Sequence, residues 1–265
     1  MENQFLPILA SLILPLPLLS FLILSLLGQK NRSTADWVAH AFSGSAFLLS
    51  AYIFARVWFV IPQSELTIEV QWLQIADIQL NMGVYLDKYS ALMLLIVSFV
   101  SFLVHLFSVV YMRSDENYVR YFAYLGLFTF SMLGLVLLDN LIGIFIFWEL
   151  VGLSSYLLIG FWQTKDSASK ASKKAFLLNR IGDAGFLLGI GAFFTIFQSV
   201  SLTEIQSNFD VVAQSAENQT MLFLCGFGLL CGAIGKSAQF PLSIWLPDAM
   251  EGPTPVSALI HAATM

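Results

Sequence analysis

The sequence predicts an all-α, polytopic transmembrane helical bundle, and three observations predict it. Of the 265 residues, 58% are hydrophobic and only 11% charged, a balance outside the range of soluble domains. The apolar residues gather into stretches of about 20, the length that crosses a hydrocarbon layer of about 30 Å as a helix. Basic residues gather in every second connection, as the positive-inside rule expects of alternating loops.

The first apolar span is Phe5–Leu27. It follows Glu2 rather than a basic region, is too long for a signal-peptide core, and is followed by no small-x-small cleavage site. It is therefore expected to remain as the first membrane helix, with Pro7, Pro15 and Pro17 bending its early turns. Trp37–Val60 is the second span. After it, Leu66 to Trp72 alternates apolar and polar residues, and Ile78 to Met82 repeats the alternation. Period-two patterning predicts a small external β-hairpin near 64–83. Such a hairpin either caps its own helices or offers an edge to a neighbouring subunit.

Spans at Leu86–Met112, Tyr118–Leu138, Leu141–Phe161, Lys173–Ser199 and Met221–Gln239 follow, then an incomplete one at Pro255–Met265. Between the last two, Leu242–Met250 reads as a short half-helix. The chain divides into N-terminal helices with the hairpin (1–112) and a second unit (113–265). Its last span begins only about eleven residues before Met265, too few to cross the membrane, so the sequence reads as the N-terminal part of a longer protein.

Charge fixes the expected orientation. Lys30 and Arg32 follow the first span, Arg113 and Arg120 the third, and Lys165, Lys170, Lys173 and Lys174 the fifth. The intervening loops carry Glu65, Glu69 and Asp77, then Asp139, then Glu204, Asp210 and Glu217, with Arg56 and Lys88 as exceptions. The N-terminus is expected outside and the basic loops in the cytoplasm. A net charge of −5 without a basic stripe excludes a nucleic-acid partner. Cys225 and Cys231, six positions apart in one apolar helix, read as reduced packing residues. No nucleotide loop, dinucleotide fingerprint, cysteine cluster or paired-histidine ligand set occurs, so no cofactor or metal is expected in this chain.

Charges inside the spans carry the chemistry. Glu149 lies within LIGIFIFWELVGLSSYLLIGF, where an ion costs roughly 2.5–3.5 kcal/mol to insert. Lys236 lies deep in a helix that starts near Met221 and breaks at Pro241. The chain then passes Pro247, Gly252, Pro253 and Pro255 before apolar sequence resumes with His261. Helix breaks and ions survive at membrane depth where they line a polar cavity.

Glu149 and Lys236 are the principal charges of their spans, so they are the natural pair, and burial disfavours the charged form of any ionisable group. Such a pair can gate a proton path, or it can simply pin two helices. His261 supplies an imidazole, with an ordinary pKa near 6.5, suited to relaying protons or to a structural hydrogen bond. Lys173, Lys174, Arg180 and Asp183 recur at helical spacing and can share a face. Interfacial anchoring accounts for Lys165 and Lys170 but poorly for Asp183, which lies further in. His105 reads as packing, and His40 requires no special function.

Five stretches resemble a known family: LDKYS at Leu86–Ser90, LVHLFSVVYM at Leu103–Met112, FWELVGLSSYLLIGFW at Phe147–Trp162, KKAFLLNRIGDAGF at Lys173–Phe186, and the run Gly235–Met265. They resemble the antiporter-like membrane subunits of respiratory complex I, the proton-pumping NADH–quinone oxidoreductase, specifically its L-type chain 5. The resemblance implies that Glu149 and Lys236 form the central pair of a proton half-channel, that Asp183 lies near its cytoplasmic mouth, and that His261 continues the relay. It also implies a discontinuous helix at Lys236–Pro241. NADH, FMN, iron–sulfur clusters and quinone are then expected in partner subunits. The other complex I membrane subunits, especially a neighbouring antiporter-like one, are expected as partners, with the bacterial inner membrane as the location. The related large subunit of a multisubunit Na⁺/H⁺ antiporter is the alternative. A passive scaffold whose charges only hold helices together is a third reading.

Overall fold

The computed structural model describes residues 2–28, 31–60, 66–75, 78–215 and 218–263. Among them, seven helical spans are long and apolar enough to cross a membrane. The first joins α1 (Glu2–Ile13) to α2 (Pro15–Leu27). The two meet at Leu14, directly before Pro15 and Pro17, because proline opens a helix readily but removes a donor inside one. The second, α3 (Arg32–Ala55), ends in a π-helical turn at Arg56–Val60.

The hairpin follows as expected. Strands β1 (Leu66–Ile75) and β2 (Ile78–Leu86) pair antiparallel from Leu66↔Leu86 to Ile75↔Ile78, with a register irregularity between Gln71 and Leu73. The second strand runs further than the alternation suggested, up to the start of α4 (Lys88–Tyr111). Asp87 caps α4: its carboxylate accepts from Ser90 N–H at 2.7 Å, and Ser90 Oγ accepts from Asp87 N–H at 2.7 Å, satisfying two otherwise unpaired donors.

Next come α5 (Tyr118–Leu137), α6 (Leu141–Ile159), α7 (Asp166–Phe197), α8 (Leu202–Ala213), α9 (Gln219–Lys236) and α10 (Thr254–Ala263). Three details differ from the sequence reading. The long α7 begins at Asp166 instead of Lys173, because the Ser/Ala/Lys-rich stretch continues the helix as a polar extension beyond the apolar core. The short α8 is a further helix, one that the hydropathy pattern did not separate from its loop. Leu242–Met250 is not a half-helix. It holds two short 3-10 segments, Ser243–Trp245 and Asp248–Glu251, since Pro241, Pro247 and Pro253 lack the N–H groups a longer helix would need. The interruption expected near Lys236–Pro241 is present: α9 stops at Lys236, and Ala238 takes a left-handed backbone with φ 48°.

The most enclosed span is α5, which packs on α2, α3, α4 and α6. Tyr118, Tyr121, Phe122 and Phe128 fill the space around it. Leu188, Phe223 and Val110 instead face outward, as lipid-facing positions do. On the hairpin side, Asp139 Oδ1 accepts from Gly83 N–H at 2.9 Å and from Asn140 Nδ2 at 3.0 Å. Asn140 also donates to Asn81 O at 2.9 Å and caps α6 through Gly143 N–H at 2.6 Å. Two adjacent polar residues thus fasten the hairpin to the α5–α6 connection.

The closest helix packing joins α7 to α9. Gly182, Gly185 and Gly189 face Gly235, Cys231 and Gly228, Gly232 lies against Phe186, and a carbon added at Gly189 would lie 3.0 Å from Gly228 Cα. Small residues let backbones approach in a membrane, where lipid removes the hydrophobic drive for association. This seam brings the end of α9 against the middle of α7.

Candidate functional site

Three helices converge on one buried ammonium. Lys236 is the last residue of α9, and its side chain is buried. The Gly182–Gly235 approach carries it toward α6, where its Nζ sits above Gly152. A carbon added at Gly152 would lie 2.7 Å from Nζ, with nothing else within 4 Å. Glycine leaves the amine in its present place, from which any Cβ would require it to shift. Nζ lies 5.7 Å from the centre of the Trp148 ring, a cation–π arrangement. It has no hydrogen-bond partner among the described residues.

One carboxylate shares its field, and a second is tied to the neighbouring arginine. Asp183 of α7 is buried and accepts a hydrogen bond from Trp148 Nε1 at 2.6 Å. It also interacts electrostatically with Lys236, as does Arg180. Glu149 of α6 forms an ion pair with Arg180 of α7. The sequence reading paired Glu149 with Lys236; among the described residues the ion pair of Glu149 is with Arg180. Arg180, one turn before Asp183 on α7, reaches Glu149 across the α6–α7 interface. The guanidinium is held in addition over the Phe176 ring, at 4.5 Å.

Toward the basic-loop end, α6 and α7 enclose a cleft of about 250 Å³ lined by Tyr156, Leu157, Gly160, Gln163, Ser169 and Ser172. Tyr156 is one helical turn from Gly152, and its ring meets Phe176 at 5.5 Å. A much smaller space of about 20 Å³, bounded by Leu135, Trp148, Val151 and Lys236, adjoins the amine itself. That is roughly room for one water molecule.

The remaining sequence candidates lie further out. Lys174 pairs with Asp248 at 2.7 Å, tying α7 to the second 3-10 segment, with both side chains 42% accessible. Lys173, its neighbour on α7, is exposed. His261 is half-buried on α10, which packs on α4 and α6, and its ring nitrogens have no hydrogen-bond partner among the described residues. The structure brings together Glu149, Asp183 and Lys236 with Arg180; it does not bring Lys173 or Lys174 to them. Trp148 and Gly152 were missed by sequence reasoning. Their signal was available, since positions 148 and 152 fall one turn apart on one helix face, beside an intramembrane glutamate.

Comparison with known proteins gives consistent results. A family model for the transmembrane region of the NADH:quinone oxidoreductase/Mrp antiporter group matches residues 138–265. Another, for the N-terminus of chain 5 of NADH-ubiquinone oxidoreductase (complex I), matches residues 72–122. The chain is 46% identical to the chloroplastic NAD(P)H-quinone oxidoreductase subunit 5 of Marchantia polymorpha over 261 residues, covering 94% of this chain and 37% of that protein. Its Anthoceros angustus counterpart is 53% identical over 195 residues, 73% of this chain and 27% of the relative. The chain thus spans about a third of the length of these curated relatives.

Among solved structures, the Mrp complex of Dietzia sp. DQ12-45-1b aligns with a TM-score of 0.78 at 25% identity, over 98% of this chain and 27% of that one. An archaeal membrane-bound sulfane sulfur reductase aligns with a TM-score of 0.74 at 21% identity, over 96% and 51%. The second likeness concerns the fold alone.

Proposed function

The chain belongs to the antiporter-like chain-5 family of NADH–quinone oxidoreductase membrane subunits, and we propose that it supplies a proton-conducting half-channel to such a complex. The observation that carries this reading is the Lys236 ammonium, buried between Trp148 and Gly152 with no hydrogen-bond partner among the described residues. An ion in hydrocarbon without a direct counter-ion is costly. It is retained where its proton is meant to move.

The route runs from the cleft of Tyr156, Gln163, Ser169 and Ser172, past the Tyr156–Phe176 contact, to the Glu149–Arg180 pair and Lys236. His261 receives the proton next, on the helix beyond the interruption. Asp183 shares the field of Lys236, and Lys173 and Lys174 gather charge at the mouth. Redox chemistry takes place in partner subunits, which hold NADH, FMN, iron–sulfur clusters and quinone. This chain contributes no redox group, but acts as a subunit of the oxidoreductase. Its partners are the other membrane subunits, a neighbouring antiporter-like one above all.

The chain is a multi-pass membrane protein. Its basic loops face the side from which protons are taken up, and its N-terminus the opposite side. The expected bacterial plasma membrane draws no support from relatives whose names read chloroplastic; an energy-transducing membrane of either origin fits the site. The division near residue 112 stands as a proposal beside it.

The test is NAD(P)H-driven proton uptake into inverted vesicles carrying the complete complex with Lys236→Ala, with assembly followed on a native gel. Lost uptake in an assembled complex is the expected result; normal uptake overturns the reading. A second reading, exchange of Na⁺ for H⁺ without NAD(P)H, is favoured by the likeness to the Mrp complex. Na⁺-dependent exchange in the same vesicles without donor would select it. If Glu149→Gln alters assembly and leaves flux per assembled complex intact, the site is a helix tie.

A further inference from the structure

Both carboxylates of the site are held by donors other than Lys236. Arg180 takes Glu149, and the indole N–H of Trp148 takes Asp183 at 2.6 Å. The same indole presents its face to Lys236 Nζ at 5.7 Å. It stands edge-on against Phe186 of α7, with ring centres 5.0 Å apart and planes at 78°. One side chain of α6 thus touches the acid on α7 and the base on α9, and it is braced in that position.

We propose that Trp148 is a positioning residue that keeps Lys236 and Asp183 apart, leaving the amine without a direct counter-ion. The proposal deepens the proton-channel reading and rests on it. Attraction between opposite charges strengthens as the effective dielectric falls, so a direct Lys236–Asp183 contact would be a deep resting state. A proton carrier held there would respond poorly to a change elsewhere in the complex. The indole prevents that contact in two ways. Its N–H occupies the carboxylate oxygen with a charge-assisted hydrogen bond, and its ring face offers the ammonium a weaker, displaceable attraction. Gly152 completes the seat, since a Cβ there would lie 2.7 Å from Nζ and the amine would have to shift. The titratable and charged groups facing this seat are Glu149 from α6, Arg180 and Asp183 from α7, and Lys236 from α9.

The experiment uses the complete complex in inverted vesicles and reads protons taken up per NAD(P)H oxidised, with assembly checked on a native gel. Trp148 is replaced by benzothienylalanine, which keeps the size of the ring and removes the N–H, and separately by Trp148→Phe. Gly152→Ala and Lys236→Ala run alongside. The benzothienyl replacement is expected to lower proton uptake roughly threefold to tenfold in a normally assembled complex, the scale of losing one ordinary hydrogen bond. Gly152→Ala is expected to act in the same direction by displacing the amine.

Normal pumping with the benzothienyl replacement overturns the proposal, whatever Trp148→Phe does, because the ring alone would then suffice. Failure of that isostere to assemble also overturns it, by making the N–H a folding requirement. Normal pumping by Lys236→Ala overturns the channel reading itself and this proposal with it. Lost pumping by Lys236→Ala together with a normal isostere removes only the proposal.

Discussion

Arg180 of α7 and Glu149 of α6 form an ion pair across the helix interface, and this pair leaves Lys236 to the face of Trp148. The finding changes which charges are coupled at rest. Glutamate and lysine belong to one cluster, linked through arginine, which pairs with Glu149 and acts electrostatically on Lys236. Arginine suits that place, because its guanidinium stays charged and grips a carboxylate through a planar fork.

Removing both partners should therefore cost less than the two single removals summed. Arg180→Gln leaves Glu149 without its cation, and a stranded ion is the expensive outcome. In a double-mutant cycle, Glu149→Gln and Arg180→Gln together are expected to destabilise the protein less than the two single changes summed, with a coupling of about 1–3 kcal/mol. Thermal unfolding of the solubilised protein measures it, and additive losses would mean that the pair contributes nothing.

The α7–α9 seam makes a steric prediction. A methyl at Gly228 would overlap the backbone of Gly189, and neither main chain can yield locally. Gly228→Ala is expected to destabilise by about 1–3 kcal/mol, as overpacking does. Gly226→Ala, with nothing within 4 Å of the added carbon, serves as the control on the same helix and should be near neutral or slightly stabilising. Equal effects at the two positions would contradict the close approach.

At the hairpin, Asp139→Ala removes the acceptor of Gly83 N–H. A buried donor left unsatisfied costs about 1–3 kcal/mol. The loss should be local, seen as faster amide hydrogen exchange across β2 with little change in α7 or α9. Unchanged exchange at Gly83 would show that the carboxylate does not fasten the strand.

Lys174 and Asp248 offer the opposite case. Their contact is short at 2.7 Å, but both side chains are 42% accessible. Solvent and salt screen such pairs, so Asp248→Asn is expected to change stability by less than about 1 kcal/mol. Unfolding curves at low and high salt would reveal the pair as a difference that shrinks with ionic strength. A loss of several kcal/mol that salt does not touch would mean that Asp248 supports the 3-10 segment in some other way.

The spans were legible because length and apolar content are local properties. Any apolar stretch of about 20 residues must satisfy its backbone internally if it enters hydrocarbon, which is why Tyr118–Leu137 and Leu141–Ile159 were readable almost to the residue. The hairpin was legible for a related reason, since alternation at period two marks a strand directly. The connection at Leu242–Met250 was not. Its prolines exclude a regular helix, but its apolar residues imitate one. The helix α8 escaped for the converse reason, being short and only half apolar.

Within the site, the sequence by itself determined which residues are charged at membrane depth. Glu149, Asp183 and Lys236 stand out because each lies in a stretch where an ion is costly and so is retained for a reason. Which of them touch was decided only by the tertiary structure. Contact between α6, α7 and α9 depends on the rotation and depth of each helix, as in the close approach of Gly182 to Gly235 and the missing side chain at Gly152 beside Lys236 Nζ. Side chains more than thirty residues apart in the chain, such as Trp148 and Asp183, meet through packing. No local pattern encodes that packing, so the hydropathy that announced the membrane was silent about Arg180 taking Glu149 and about the indole that holds Asp183.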